Sequence, residues 1–598
     1  MAGDNLNLPD IKTDERTDVL AYRRRKSFRR QEWEFSLVVI FLTLAFTATC
    51  VWVLRNNQQH ATTKAPPPQP QHEVVVVKPK AKPEPLPSIQ ITSYDFSSSR
   101  TDARFVDADV RIPLNGMDEI IFATLNEQQI EPAEPCSDAV FLRRIYIDVL
   151  GCLPTAHEAK RFLDSESPAK RQELIEEALA RPEYADYLAM KWSDILRIKA
   201  EFPIKLWPNA AQIYHHWLQT SFANNLPYDQ FVRELLTSSG SNFRTPQVNF
   251  YRAVQDKTPE ALVQAVAISF LCERADEWPP EQLDGMSQFF SEVGFKPTGE
   301  WKEEIVYFDR RKSLEFRRAK LVGVFPDGTS IEIPPGKDPR EVFADWLIQP
   351  DNPRLARAFV NRACYWLLGR GIVEPVDHMG PKHPPSNPEL LDYLTQEFVQ
   401  SGYDIKHLYR LILNSRTYQL SSIPRSDDPR AGELFAYYPI RRLDAEVLID
   451  AICQITKVPE TYSSIIPEPF TFLPEGTRAV TLPDGSITSA FLEMFGRPTR
   501  DTGLEEDRNN HLSAAQSLHL LNSNHIRNKL KDGPGIPDIL VGSWDSLTSS
   551  TDSLYLAILS RRPTESERSA VVGLCSNAEG AKEVAWALIN SDEFLFRH

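Results

Sequence analysis

The seven cysteines of this 598-residue chain are scattered at Cys50, Cys136, Cys152, Cys272, Cys364, Cys453 and Cys575, and none forms a Cys-x-x-Cys pair. That absence argues against a dithiol redox centre or a thiolate zinc knuckle. The nearest pair, Cys136 and Cys152, is a disulfide candidate, but both lie beside apolar segments where small buried thiols are common. No glycine-rich phosphate loop, no Ser–His–Asp order and no internal repeat stands out. A basic stripe is also missing. The net charge is −15 and many of the basic residues fall in the N-terminal tail and linker, so the remainder is acidic and no nucleic-acid partner is expected.

Present instead is one long apolar run, Phe35 to Leu54, without a charged residue. Some 20 residues at about 1.5 Å each span about 30 Å, the thickness of a bilayer core. Arg23, Arg24, Arg25, Lys26, Arg29 and Arg30 precede it, and such a flank keeps the N-terminus in the cytoplasm. No clean small-x-small site follows, which disfavours a cleaved leader. The reading is a single-pass inner-membrane anchor (35–54) behind a cytoplasmic tail (1–34), with the body extracytoplasmic. A proline-rich linker (55–88), holding Ala65-Pro66-Pro67-Pro68, favours extended chain and reaches on the order of 100 Å.

The body reads as mainly α: a first helical domain (89–300), a small β region (301–337) and a second helical domain (338–598). Capping side chains precede prolines at Ser167-Pro168, Thr258-Pro259, Asp338-Pro339, Asn352-Pro353 and Asn387-Pro388, where the cap accepts an orphan N–H and proline loses nothing. Thr155 with Glu158 and Thr564 with Glu567 fit capping boxes. Helix stops are expected at Gly151, Gly369 and Gly402. In the β region, Ile305–Phe308 and Leu321–Phe325 are β-prone, and Asp327-Gly328 signals a hairpin. A second hairpin is expected at Asp484-Gly485.

Several motifs carry a family resemblance. They include Phe141-Leu142-Arg143-Arg144-Ile145-Tyr146-Ile147-Asp148, Leu226-Pro227-Tyr228-Asp229-Gln230-Phe231, Pro384-Pro385-Ser386-Asn387-Pro388-Glu389, Asn414-Ser415-Arg416-Thr417-Tyr418-Gln419, Phe495-Gly496-Arg497-Pro498 and the closing Asn590-Ser591-Asp592-Glu593-Phe594. From about Met117 to His598 the chain resembles the paired domains of unknown function that accompany planctomycete cytochrome c. The resemblance implies an extracytoplasmic protein, and many members carry c-type haem motifs. This chain departs twice. The tract Cys272-Glu273-Arg274-Ala275-Asp276-Glu277-Trp278-Pro279 offers one thiol and no histidine where the family often has Cys-x-x-Cys-His. Leu504-Glu505-Glu506-Asp507-Arg508 stands where the family usually shows Cys-Glu-Cys-Glu-Arg. No haem or other cofactor is expected.

The candidate site is a polar group in the second half: Asn361, Arg362, Arg370, Asp377, Arg442, Glu446, Arg497, Arg500, Asp507 and Arg508. Arginines that fork onto carboxylates suit an acidic sugar or a sulfate, yet such networks are more often internal ion pairs, and that reading is favoured. Glu446 and Asp450 lie one helical turn apart. His378 and His383 lack a third metal ligand in register, and His215-His216 point in different directions on a helix; no metal is expected. With 82 acidic residues, no glycosidase pair can be singled out. The expected function is a non-enzymatic binding or scaffold component of the cell envelope, with an envelope polysaccharide or a separate cytochrome as partner. The alternatives are a glycan-directed hydrolase or redox-linked enzyme, and a docking partner for that cytochrome. A reporter active only outside the cytoplasm, fused after His598, is expected to work. Neutralising the six basic residues between Arg23 and Arg30 should weaken that orientation.

Overall fold

Helix starts in the structure follow the capping side chains. Thr155 and Thr564 each complete a capping box with Glu158 and Glu567. Thr258, Asp338 and Asn387 accept from the N–H groups of Ala261, Arg340 and Leu390. Two starts differ from the sequence expectation. The helix after Ser167 begins at Lys170, and Ser167 Oγ instead accepts from Ala169 N at 3.3 Å. The helix after Asn352 begins at Arg354, with Pro353 at the cap position. A further capping box, Ser513 with Gln516, was not anticipated. Gly151 and Gly369 end their helices in the left-handed conformation, and Gly402 lies one residue past the Ser401 cap.

This is a computed structural model that describes residues 102, 104–107, 112–315, 321–541 and 547–598. The apolar run 35–54, its basic flank and the proline-rich linker lie outside the described residues. Among the described residues, no helix is long and apolar enough to cross a membrane. Ser93–His598 forms one unit, and it is mainly helical.

The β structure comes in small separate pieces. Glu304–Phe308 is the central strand of a three-stranded antiparallel sheet, with Gly240–Ser241 on one side and Val293–Pro297 on the other; Val306 pairs with both Gly240 and Phe295. Val322–Val324 and Ser330–Glu332 form a hairpin across Asp327-Gly328, where Asp327 Oδ1 accepts from Thr329 N at 2.8 Å. The hairpin expected at Asp484-Gly485 is absent. Asp484 Oδ1 there accepts from Ala200 N and Ser486 N, both at 2.8 Å, so it closes a turn and docks the first half of the chain.

Two apolar cores meet at the helix Pro182–Ile195. Leu188, Trp192 and Ile195 belong to a core drawn from Met117 to Tyr438 and joined by Leu556. Tyr187 and Met190 belong to a second core built on Ala445–Thr456 and the C-terminal helices. Trp192 packs against Phe231 and Tyr228 at centroid distances of 5.3 and 5.7 Å. Leu518, Leu520 and Leu521 read in the sequence as an apolar helical stripe facing a core, but only Leu520 is buried; Leu518 and Leu521 are 57% and 40% exposed. The helix Ala514–Asn522 buries only Gln516 and Leu520, positions i and i+4, and turns the other two leucines to solvent.

Two helices end in a π-helical turn that closes on a left-handed residue. Asp138–Ile145 continues through Tyr146–Leu150 to Gly151, and Pro259–Val266 through Ala267–Leu271 to Cys272. At Gly151, φ is +60° and an added Cβ would stand 2.5 Å from Tyr187 Cδ2. Gly151→Ala is expected to destabilise the fold by about 1–3 kcal/mol, read as a lower urea midpoint with an unchanged m-value.

Candidate functional site

The sequence around the arginine-rich motifs folds to bury charge in pairs. The helix Pro182–Ile195 places Tyr187, Lys191 and Asp194 on one face, at i, i+4 and i+7. Asp194 accepts from Arg500 Nε at 2.8 Å and from Arg508 Nη2 at 2.5 Å. Arg508 also donates to Glu446 at 2.7 Å, and Arg497 Nε lies 3.4 Å from Glu446. Asp444 accepts from Arg597 Nη2 at 2.6 Å and from the Tyr187 hydroxyl at 2.7 Å, with Lys191 Nζ at 3.1 Å. Arg597 reaches on to Asp148 at 2.8 Å, which also accepts from the hydroxyls of Tyr438 and Tyr418. Arg362 donates to Asp377 at 3.0 Å and to the π-turn carbonyls of Ser269 and Ile268. The other oxygen of Asp377 accepts from Glu505 N at 2.6 Å.

These groups are removed from water. Arg362, Asp377 and Glu446 have no exposed surface, and Asp194, Asp444 and Arg508 are buried. Burial alone would raise the carboxyl pKa of Asp444; Lys191, Arg597 and Arg508 outweigh it and hold the group well below its ordinary range. Burial likewise opposes Arg508 and Arg497, which hold Glu446 down. Glu505 differs. Its carboxylate has no hydrogen-bond partner, and burial pushes it up against the pull of Lys191 and Arg508. Asp450 is pushed up to about 6 by burial, although it accepts from Ala479 N and Val480 N. Burial lowers Arg442 to about 10; its guanidinium donates to the carbonyls of Leu443, Phe495 and Asn509. Gly496 makes that cradle possible: at φ +79° an added Cβ would lie 2.0 Å from Asn509 O.

The sequence candidates therefore separate. Arg500 and Arg508 gather on Asp194, and Arg508 links them to Glu446 and its neighbour Arg497. Arg442 packs beside them on carbonyls, and Arg362 with Asp377 forms an adjoining pair. Asn361 holds the loop backbone at Val373 through two hydrogen bonds. Arg370 is half-buried and Asp507 exposed, held by Thr502 Oγ1; neither joins the ladder. Sequence reasoning missed Asp148, Tyr187, Lys191, Asp194 and Arg597 as members. The legible signal was three polar groups spaced i, i+4, i+7 along a helix rich in apolar residues.

Two openings adjoin this framework. A cleft of about 870 Å³ is walled by Glu273–Pro279, Trp346 and the loop His378–His383. A cavity of about 310 Å³ is lined by Lys191, Trp366, Arg441, Arg442, Glu505 and Asn510, among others. The tract at Cys272 does not fit covalent haem. The thiol is fully buried, 3.7 Å from Ala358 O, and burial pushes it up to about 12; Leu271 and Glu273 face the cleft, but Cys272 does not. His378 Nε2 pairs with Glu277 at 3.2 Å, and among the described residues no group of three ligands could hold a metal. His215 is buried and pushed down to about 3 by desolvation, so it is a neutral core residue. Cys136 and Cys152 are free buried thiols.

A mainly helical body with an ion ladder between its halves matches two sequence families in tandem. PSCyt2, a protein of unknown function (DUF1549), covers residues 116–278, and PSD1, a protein of unknown function (DUF1553), covers 339–575. The chain belongs to the family that pairs these two domains. No curated protein and no solved structure matches it.

Removing Arg508 would leave Asp194 and Glu446 short of a cation in low dielectric. Arg508→Met is expected to cost about 3–5 kcal/mol, read by chemical denaturation. Because the folded pKa of Asp444 is depressed, its stabilisation is in place above its ordinary value of 3.8. It is lost as pH falls below that value. The same titration should therefore show stability falling steeply in acid for the wild type and less steeply for Asp444→Asn.

Proposed function

We propose that this protein is a membrane-anchored, extracytoplasmic binding component of the cell envelope, and that it holds polysaccharide in the cleft beside Glu273–Pro279. The observation that carries the reading is the make-up of that cleft. Trp278 and Trp346 supply flat apolar faces, while Glu273, Glu277, Arg354 and Lys382 supply fixed polar groups. Arg354 is paired to Glu273 at 2.9 Å and Lys382 to Glu277 at 2.8 Å. Ion pairs held in place present donors and acceptors together, as sugar hydroxyls require. A pocket with aromatic walls and a few placed polar groups is the usual form of a ligand site. The ionic ladder supports the same division of labour, because its arginines are spent on internal carboxylates and carbonyls. The charge-free run 35–54 and its basic flank support the anchor and the side of the membrane.

A glycan hydrolase is the second reading, favoured by two carboxyls in the same cleft with opposed environments. Burial pushes Glu273 up, whereas hydrogen bonds from Thr329 outweigh desolvation and hold Asp327 down. Opposed shifts are how an acid and a base are set apart.

The test is sedimentation of the full-length chain with envelope polysaccharide. Binding is expected, and Trp278→Ala should weaken it roughly three- to tenfold, with Lys382→Ala weakening it as well. Binding that ignores both changes would remove the cleft from the reading. Release of reducing ends, lost in Glu273→Gln, would replace it with the hydrolase.

A further inference from the structure

Outside the ladder and the two openings, one group of titratable side chains forms a relay of its own. Glu460 Oε2 stands 2.8 Å from His525 Nε2, and His525 Nδ1 stands 3.4 Å from His519 Nε2. Lys529 Nζ lies 3.1 Å from Glu460 and donates to the carbonyls of Val458 and Pro459. Both imidazoles are half-buried and pack on Phe491, at centroid distances of 5.9 and 6.0 Å. The charged groups that face the pair are Glu460, from the loop after Ala445–Thr456, and Lys529, one turn beyond His525 in the helix Asn524–Asp532. Among the described residues, neither Ala490–Met494 nor Ala514–Asn522 brings a further charge within ion-pair distance of either ring.

The order of hydrogens along the relay follows from its acid end. Burial would raise the carboxyl pKa of Glu460; His525 and Lys529 outweigh it and hold the group below its ordinary range. An ionised carboxylate only accepts, so His525 gives it the Nε2 hydrogen. The Nδ1 of a neutral His525 is then a lone pair and takes the Nε2 hydrogen of His519. One added proton can be absorbed by a change of tautomer. Two cannot, because every ring nitrogen then carries a hydrogen, and N–H faces N–H across 3.4 Å between like charges. The two rings therefore titrate as a pair. Burial, and after it the charge of His525, holds His519 below the ordinary imidazole value of 6.5.

The helix Ala514–Asn522 has little else to hold it. It buries only Gln516 and Leu520, and Gln516 Nε2 donates to Met494 O at 2.8 Å. His519 meets the stacked rings of Phe491 and Phe495 edge-on. The carbonyl of Phe495 accepts from Arg442, so the helix sits directly behind one brace of the ladder. We propose that His519 and His525 form an acid-opened latch, which holds the helix Ala514–Asn522 on Phe491 and Phe495 while the rings are neutral and releases it when both are protonated. The docked helix makes His519 harder to protonate, so its hold is complete above 6.5 and is lost as pH falls below that value. Release uncovers two phenylalanine rings beside the exposed Leu518 and Leu521.

Hydrogen exchange of the full-length chain tests it, read by mass spectrometry at about pH 8 and about pH 5.5, either side of the ordinary histidine range. Labelling times are scaled to the chemical exchange rate at each pH. Protection across Ala514–Asn522 should fall about tenfold or more in acid. The helix Pro182–Ile195 should keep its protection, because the acid loss expected of Asp444 begins only below 3.8. His519→Gln still offers His525 a donor and an acceptor but does not titrate, so its helix should stay protected at both pH values. His525→Gln keeps a donor for Glu460 and leaves a single imidazole, so it too should stay closed. Equal wild-type protection at the two pH values overturns the proposal. So does acid opening that persists in His519→Gln, or a loss of protection spread evenly over the body, which is general acid unfolding. Should His519→Gln fail to fold, His525→Gln decides in its place.

Discussion

A charge taken out of water obliges a fold to bring its partner to it, and Asp194 imposes that obligation most firmly here. It is buried, and the cations that answer it, Arg500 and Arg508, come from more than 300 residues downstream. An unmatched carboxylate at that depth would cost several kcal/mol. The loop from Gly496 to Arg508 has therefore little freedom in where it can lie. Its position fixes Glu446 through Arg508, and Arg442 through the Phe495 and Asn509 carbonyls. The pairing ties the two matched domains together beside their apolar contact at the helix Pro182–Ile195.

The ladder and the cavity beside it show the two fates of polar groups in a low dielectric. Along Asp148, Arg597 and Asp444, each carboxylate oxygen has a donor, and the titration of Asp444 is driven far from its ordinary range. Glu505, which shares Lys191 with Asp444, has none and is driven the opposite way. Neighbouring carboxyls with opposed titration are a mark of functional sites. The cleft at Glu273 repeats the pattern with Asp327. There, however, Glu273 is paired, to Arg354 and to Trp278 Nε1.

Features governed by short-range rules were legible in the sequence. Thr155, Thr258, Asp338, Asn387 and Thr564 cap helices because a side chain reaches an N–H two or three residues on, and the hairpin at Asp327-Gly328 follows from the same kind of local geometry. Asp484-Gly485 has the identical dipeptide, but Asp484 is claimed by Ala200 N, a partner nothing nearby announces. Leu518 and Leu521 read as core because apolar spacing reports a face without saying what covers it. Of the ladder, Arg497, Arg500, Arg508 and Glu446 were legible from their motifs, but Arg597 was not. Lys191, Asp194 and Asp148 were not, because their motive lies in partners 253 to 449 residues distant: Lys191 pairs with Asp444, Asp148 with Arg597.

Arg597 closes the circuit. Its two Nη groups satisfy Asp148, 449 residues earlier in the chain, and Asp444, 153 residues earlier. Arg143 and Arg144, neighbours of Asp148, likewise donate to the carbonyls of Phe594 and His598. Contacts of such long sequence separation form late, since the loop they close must first be drawn together. While the chain is being made, the first half holds carboxylates and arginines whose partners do not yet exist, and these must remain hydrated. The first matched domain thus completes its interior only after the second has arrived. The pair behaves as one folding unit, with its final tertiary lock near the last residues of the sequence.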